Sequence, residues 1–250
     1  MIPKTIHYCW FGKSPLPPLP KECVSSWKKQ CPDYKVICWN EENYDIHKNP
    51  FVEQAYQAGQ WAFVADYVRL EVLLNHGGVY LDTDVELRKP LDPLLEHDCF
   101  LGFESRDTVA TGVIGCTPGH PLIRKLFANY EDRDFLKDGE RGITTGPELL
   151  TTVLREDGLR PTGKKQQIDG CVVFPCKTFY PTGMDWVLGR YSDKTVSVHH
   201  YTDSWRSSRV TGKRSVKSRI RLSAVFLGRN MIGTEKMNAM GKILKRKEGR

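Results

Sequence analysis

The chain has 250 residues, 40% of them hydrophobic and 27% charged, which is ordinary for a soluble globular protein and long enough to bury a full core. No apolar run approaches the roughly 18–20 residues of a membrane span, and Met1-Ile2-Pro3-Lys4 lacks a secretory pattern. Residence in the cytoplasm is the default expectation. The formal net charge of +7 is unevenly placed: residues 206–250 hold fourteen Lys/Arg against two Asp/Glu, and the first 205 residues hold 23 basic against 28 acidic groups. An acidic body with a basic tail argues against a broad nucleic-acid groove.

In chain order, residues 2–12 read as a first strand with an aromatic end, and residues 14–20 as a proline-rich loop that cannot join a sheet. A short helix is expected over 21–31 with Val24 and Trp27 inward. A second strand follows over 34–39, with Asn40-Glu41-Glu42-Asn43 as a turn. This β-loop-α-β opening suggests an α/β fold built on parallel strands. Residues 51–76 have helical spacing broken at Gly59, and Trp61, Ala65, Val68, Val72 and Leu73 give one apolar face. Asp66 and Arg69, at i and i+3, share another part of the surface. Gly77 suits a C-cap, and Gly78 turns the backbone into a strand, Val79-Tyr80-Leu81.

Further strands are expected over 100–104, 111–116, 171–174 and 195–200, and helices over 121–136 and 147–156. Beyond Arg206, Val216, Ile220, Ala224, Leu227 and Met231 recur at helical spacing among basic residues. Such a stretch suits an anionic lipid surface, at about 1 kcal/mol per basic residue, or a helical extension packed on the domain. The eight cysteines form no C-x-x-C pair and most sit in apolar contexts, so reduced, mostly buried thiols are expected, with a zinc site as the alternative.

Chemistry concentrates at Leu81-Asp82-Thr83-Asp84. Alternation on a strand points Asp82 and Asp84 the same way, and two carboxylates so close repel. A hard divalent cation, Mg²⁺ or Mn²⁺, relieves that and completes its shell with substrate phosphates. The bland alternative is a pair of solvated acids, the reading given to Asp132-Arg133-Asp134 in a polar helical segment. Asp66 and Arg69 are either an exposed ion pair worth a few tenths of a kcal/mol or a carboxylate for ribose hydroxyls beside a guanidinium for phosphate. Trp10 is either a core residue, as Trp27 and Trp39 are expected to be, or an indole that stacks on a nucleobase. His200 shares the alternation of Val196 and Val198, and Ser204 and Trp205 offer donors for a phosphate.

His7-Tyr8-Cys9-Trp10-Phe11-Gly12, Ala65-Asp66-Tyr67-Val68-Arg69-Leu70, Gly77-Gly78-Val79-Tyr80-Leu81-Asp82-Thr83-Asp84 and the run from His200 to Trp205 occur in a familiar order. Together they resemble the DXD-containing glycosyltransferases, a family that includes fungal initiating mannosyltransferases, bacterial capsule and lipopolysaccharide sugar transferases, and large clostridial glucosylating toxins. The likeness spans roughly residues 1–205 and leaves 206–250 as a basic helical extension outside the family core. It implies a GT-A type fold, a Rossmann-like mixed sheet flanked by helices. It further implies a nucleotide-sugar donor (UDP favoured over GDP), Mn²⁺ or Mg²⁺, and retention of anomeric configuration. The expected acceptor is a glycan or lipid-linked oligosaccharide in surface polysaccharide synthesis, the basic tail 206–250 pointing to the inner face of the plasma membrane as the place of encounter. Carried over, Trp10 stacks on the base, with Tyr8 and Tyr80 in the same donor set, and Asp66 and Arg69 hold the nucleoside. Asp82 reaches the ribose and the metal, Asp84 binds the metal directly, His200 lies near it, and Ser204 and Trp205 cap the diphosphate. Two other classes compete: a metal-dependent phosphohydrolase using Asp82 as nucleophile, and a nucleic-acid binder acting through the tail.

Overall fold

The computed structural model describes residues 1–131, 133–135, 145–181, 191–202 and 224–225. The first strand, β1 (Thr5–Cys9), is followed by a loop that ends one residue before helix α1 (Pro18–Gln30). Pro18 and Pro20 therefore belong to the helix, contrary to the loop expected through residue 20. Their missing N–H groups fall in the first turn, where no intrahelical partner exists. Leu19, Cys23 and Trp27, spaced by four, form its buried stripe. β2 (Lys35–Trp39) then pairs in parallel with β1.

Helix α2 (Pro50–Gln57) is capped by Asn49, whose side chain accepts from the N–H groups of Phe51 and Val52. Gly59 adopts φ 68° and breaks the run where expected, and α3 (Trp61–His76) follows. Gly77 (φ 61°) and Gly78 (φ 93°) then turn the chain into β3 (Gly78–Leu81). A side chain at Gly78 would collide with Thr5 O at 2.7 Å, so only glycine brings β3 this close to β1.

Seven strands form one sheet in the order β2-β1-β3-β6-β5-β8-β7, with β5 Cys99–Phe103, β6 Val109–Cys116, β7 Gln166–Ile168 and β8 Cys171–Phe174. The parallel expectation holds for β2-β1-β3 and for β5-β8. β6 runs antiparallel to both β3 and β5, and β7 to β8, so the sheet is mixed. Helices α4 (Pro121–Ala128) and α5 (Gly146–Glu156) complete the layer formed by α2 and α3. The helical reading over 121–136 was too long; the helix stops at Ala128 and the chain turns. A second, two-stranded sheet pairs β4 (Val85–Leu87) with β9 (Ser197–His199), and a four-residue helix, α6 (Cys176–Phe179), follows β8. These short pieces carry no periodicity of their own, and long-range pairing forms them. All eight cysteines are free thiols, six of them buried. Among the described residues, no helix is long and apolar enough to cross a membrane.

The crossover from β1 to β2 through α1 and the one from β2 back past β1 to β3 through α2 and α3 lie on opposite faces of the sheet. Trp27 of α1 packs with Ile6, Val79 and Leu81, whereas Val68 and Leu73 of α3 pack with Cys9 and Tyr80. Strand order therefore reverses at β1, and such a switch opens a crevice beyond the carboxyl ends of β1 and β3. One buried histidine fastens this corner. Trp39 Nε1 donates to His7 Nδ1 at 3.1 Å, which leaves His7 Nε2 to donate to Gly77 O at 3.0 Å.

Burial pushes the His7 imidazole down from its ordinary 6.5 to about 4, opposed by the Gly77 carbonyl. The unfolded chain takes up a proton below pH 6.5 that the folded chain refuses until about pH 4. Stability from this group is thus complete above 6.5 and lost as pH falls toward 4. Wild type should lose about 2–3 kcal/mol more than His7→Gln across that window, measured by urea unfolding at pH 7 and pH 4. Parallel pH profiles for the two chains would contradict the assignment.

Candidate functional site

Asp82 and Asp84 lie beyond the end of β3. The Val85 N–H donates to Asp82 O at 2.9 Å, so residues 82–85 form a tight turn into β4. This corrects the strand-alternation expectation: the turn, and no shared strand face, sets the two carboxylates. Other elements hold the turn. The Asp82 N–H donates to Gly112 O of β6 at 2.9 Å, and Trp27 Nε1 of α1 donates to Val85 O at 2.7 Å. β1 pairs with β3 through Ile6–Val79 and His7–Tyr80, so the continued register sets Cys9 level with Asp82 and Trp10 one step further.

Arg69 is 5% exposed, so the surface reading of Asp66 and Arg69 is corrected to a buried ion pair. Its Nη2 meets Asp66 Oδ1 at 2.9 Å, its Nη1 meets Asp82 Oδ1 at 3.3 Å and donates to Thr111 O at 2.8 Å, and its Nε donates to Ala65 O at 3.1 Å. The guanidinium face lies 4.6 Å from the Tyr80 ring centroid. Burial holds the Asp66 carboxyl above its ordinary range, opposed by Arg69 and the Gly146 N–H and reinforced by Asp82. Gly146 opens α5, and a side chain there would come within 2.8 Å of Asp66 Oδ1. Asp66 thus sits between a guanidinium and a helix N-terminus, both favourable to an anion.

Asp84 is buried and fully engaged. Its Oδ1 lies 2.9 Å from His199 Nε2, and its Oδ2 accepts from the Thr202 N–H at 2.8 Å and the Thr202 hydroxyl at 2.9 Å. Burial works against its charge, yet the His199 imidazole and the Thr202 donors hold it well below the usual carboxylate range. In the β4–β9 register, His199 faces Val85 and Val198 faces Glu86. His200 therefore falls on the Glu86 side, where its Nε2 lies 3.0 Å from Glu86 Oε2 and Arg88 lies 3.1 Å from Glu86 Oε1.

His200 is thus corrected as the histidine at the aspartates; the structure brings His199 there. Ligand atoms of Asp82, Asp84 and His199 all lie within 4.8 Å of one another. The alternation of Val196 and Val198 misled because both faces of β9 are buried, Ser197 as fully as Val198. The doublet His199-His200 was the available signal, and register decides between its members. Thr202, Thr111 and Gly112 carry no sequence signal for their roles.

Two carboxylates and an imidazole form a donor set suited to a hard or borderline divalent cation. His199 Nδ1 is buried without a partner, so the ring can shift its pairing at little cost in lost hydrogen bonds. Of the other sequence candidates, Tyr80 is 2% exposed and backs Arg69. Tyr8 packs edge-on against Trp27 at 5.4 Å. Trp10 is half-buried, with its Nε1 donating to Ser14 O at 2.7 Å. Asp132, Asp203, Ser204, Trp205 and, apart from 224–225, the tail 206–250 lie outside the described residues.

Comparison with known proteins adds an independent line. A family profile described as "Glycosyltransferase sugar-binding region containing DXD motif" matches residues 17–101. Inositol phosphoceramide mannosyltransferase 3 of Schizosaccharomyces pombe is 30% identical over 136 residues, covering 51% of this chain and 37% of that protein. Uncharacterized glycosyltransferase L373 of Acanthamoeba polyphaga mimivirus is 28% identical over 193 residues, covering 72% of this chain and 75% of the other. The chain spans between 37% and half the length of four fungal relatives. Among solved structures, one named PaToxG Glycosyltransferase is similar at TM-score 0.49 and 18% identity, over 63% of this chain and 70% of that one.

The two histidines can be separated by titration with Mn²⁺ alone. His199→Gln should weaken Mn²⁺ binding by at least about tenfold, the loss that removal of even an outer-shell partner causes, and His200→Gln should leave it nearly unchanged. Equal losses, read by calorimetry or by the free-ion paramagnetic signal, would contradict the assignment.

Proposed function

We propose, from the match of residues 17–101 to the glycosyltransferase profile with a DXD-containing sugar-binding region, that the chain is a metal-dependent hexosyltransferase of that family using a nucleotide-sugar donor. The observation that carries this reading is the convergence of Asp82, Asp84 and His199 within 4.8 Å at a sheet switch point. Bound there, Mn²⁺ or Mg²⁺ supplies charge neutralisation for a departing diphosphate. Asp84, its Oδ2 held by the two Thr202 donors, would be the principal anionic ligand, and Asp82 would reach between cation and ribose. Arg69 holds Asp82 in place and offsets the acidity of the cluster. Trp10, one step beyond the end of β1, is the stacking platform for the base, and Tyr8 and Tyr80 stay in the proposed donor set; Ser204 and Trp205 remain the expected donors to the diphosphate.

We take the transfer to retain configuration. The C1–oxygen bond to the diphosphate breaks, the acceptor hydroxyl oxygen bonds to C1 on the same face, and its proton passes to the leaving phosphate oxygen. The competing double displacement needs a carboxylate beside the sugar. Glu104, at the end of β5, raises the proton affinity of Tyr180, His199 and Tyr201 and is the one to examine. A covalent sugar trapped on Glu104 would overturn the same-face route. The favoured donor is a UDP-sugar, with GDP as the competing carrier since fungal relatives are named mannosyltransferases. Their names also carry a ceramide lipid, which supports a lipid-linked acceptor met at a membrane face.

The decisive experiment is a thermal-shift panel of nucleoside diphosphates with and without Mn²⁺. A metal-dependent rise with UDP, or with GDP, supports the reading, and its loss in Asp84→Asn with the fold retained assigns the site. Transfer should fall at least about a hundredfold in Asp84→Asn, while Trp10→Ala should mainly raise the donor KM. Phosphatase turnover without any nucleotide response would favour the hydrolase class instead. Deleting 206–250 should abolish co-sedimentation with anionic liposomes and leave the nucleotide response intact; unchanged co-sedimentation would remove the membrane role of the tail.

A further inference from the structure

Tyr180 follows α6 and is completely buried. Its N–H donates to Cys176 O at 2.8 Å, and its ring lies edge-on to His199 at 5.8 Å. Two strand glycines make room for it. A side chain at Gly102 of β5 would come within 3.1 Å of the Tyr180 ring. A side chain at Gly112 of β6 would lie 2.8 Å from Asp82 Oδ2 and 3.5 Å from the Tyr180 hydroxyl. The hydroxyl and the second Asp82 oxygen therefore border the same small gap.

The Tyr180 hydroxyl is buried with no hydrogen-bond partner. The Val113 backbone N–H lies toward its oxygen, while its proton has no acceptor. Leaving such a group unsatisfied costs about 1–3 kcal/mol, and a phenylalanine would fill the same space without that cost. A phenol kept under this penalty beside a carboxylate points to a state in which the proton is used. Asp82 Oδ1 is already turned to Arg69, and the side chain is 28% exposed, so it has room to move.

We propose that Tyr180 is a positioning residue for Asp82: when the nucleotide and cation load, Asp82 Oδ2 swings into the gap at Gly112 and accepts the Tyr180 hydroxyl proton in a hydrogen bond. Arg69 and Tyr180 then grip the carboxylate from two sides and aim its remaining lone pairs at the ribose and the cation. No bond to carbon or phosphorus forms at Tyr180, and its proton stays on the phenol. This assignment rests on the nucleotide-sugar reading above.

The test uses the full chain with UDP or GDP and Mn²⁺. Tyr180→Phe should melt, without ligand, at or above the wild-type temperature, because the deleted hydroxyl is unsatisfied there. Its affinity for the nucleotide–Mn²⁺ pair should fall about tenfold, as expected for a hydrogen bond to a charged group. Gly112→Ala places a methyl in the gap and should cause a similar loss. The double variant should be no weaker than either single one, since both remove the same contact. Wild-type affinity in Tyr180→Phe, or a ligand-free melting temperature that drops with the affinity, would overturn the positioning role. Additive losses in the double variant would overturn it as well. A wild-type chain indifferent to every nucleotide–Mn²⁺ pair would instead defeat the nucleotide-sugar reading, and this assignment with it.

Discussion

The buried guanidinium of Arg69 is the constraint on which the site depends. From one residue of α3 it reaches the helix itself at Ala65, β6 at Thr111 and the DXD turn at Asp82, with the Tyr80 ring beneath it. A charge this deep is tolerated only when every donor is paired. Asp66 supplies the second carboxylate and transmits the constraint to α5 through Gly146. Helix, sheet and DXD turn are therefore tied together through one side chain.

Around that lock, the DXD turn is held from three directions. Gly112 O takes the Asp82 N–H, Trp27 reaches Val85 O from the opposite face of the sheet, and β9 brings His199 and Thr202 to Asp84. The sheet switch point opens the crevice, but it does not by itself arrange carboxylates. That arrangement comes from a three-residue strand pair formed by residues more than a hundred positions apart. His7, by joining Gly77 to Trp39, anchors the start of the strand that delivers the turn.

The split between an acidic body and a basic tail divides the chemistry as well. The body gathers Asp82, Asp84 and His199 into a donor set suited to a divalent cation. The fungal relatives extend well beyond the aligned stretch.

Much of the frame was legible in the residues alone. Helical spacing with a break at Gly59, the Gly77-Gly78 turn, and the strands over 35–39, 78–81 and 171–174 are local features, set by glycine geometry and side-chain periodicity. The aspartate pair was visible because two acids directly after an apolar strand stand out from the residues around them. Tertiary structure alone decided which partners those acids meet. Arg69 reads as a surface residue on a helical wheel and becomes buried because β3 and β6 close over it. His199 displaces His200 because strand register, a product of pairing across the molecule, sets which face of β9 meets Asp84. Periodicity describes one element at a time, whereas long-range pairing chooses its neighbour, and the site is made of neighbours.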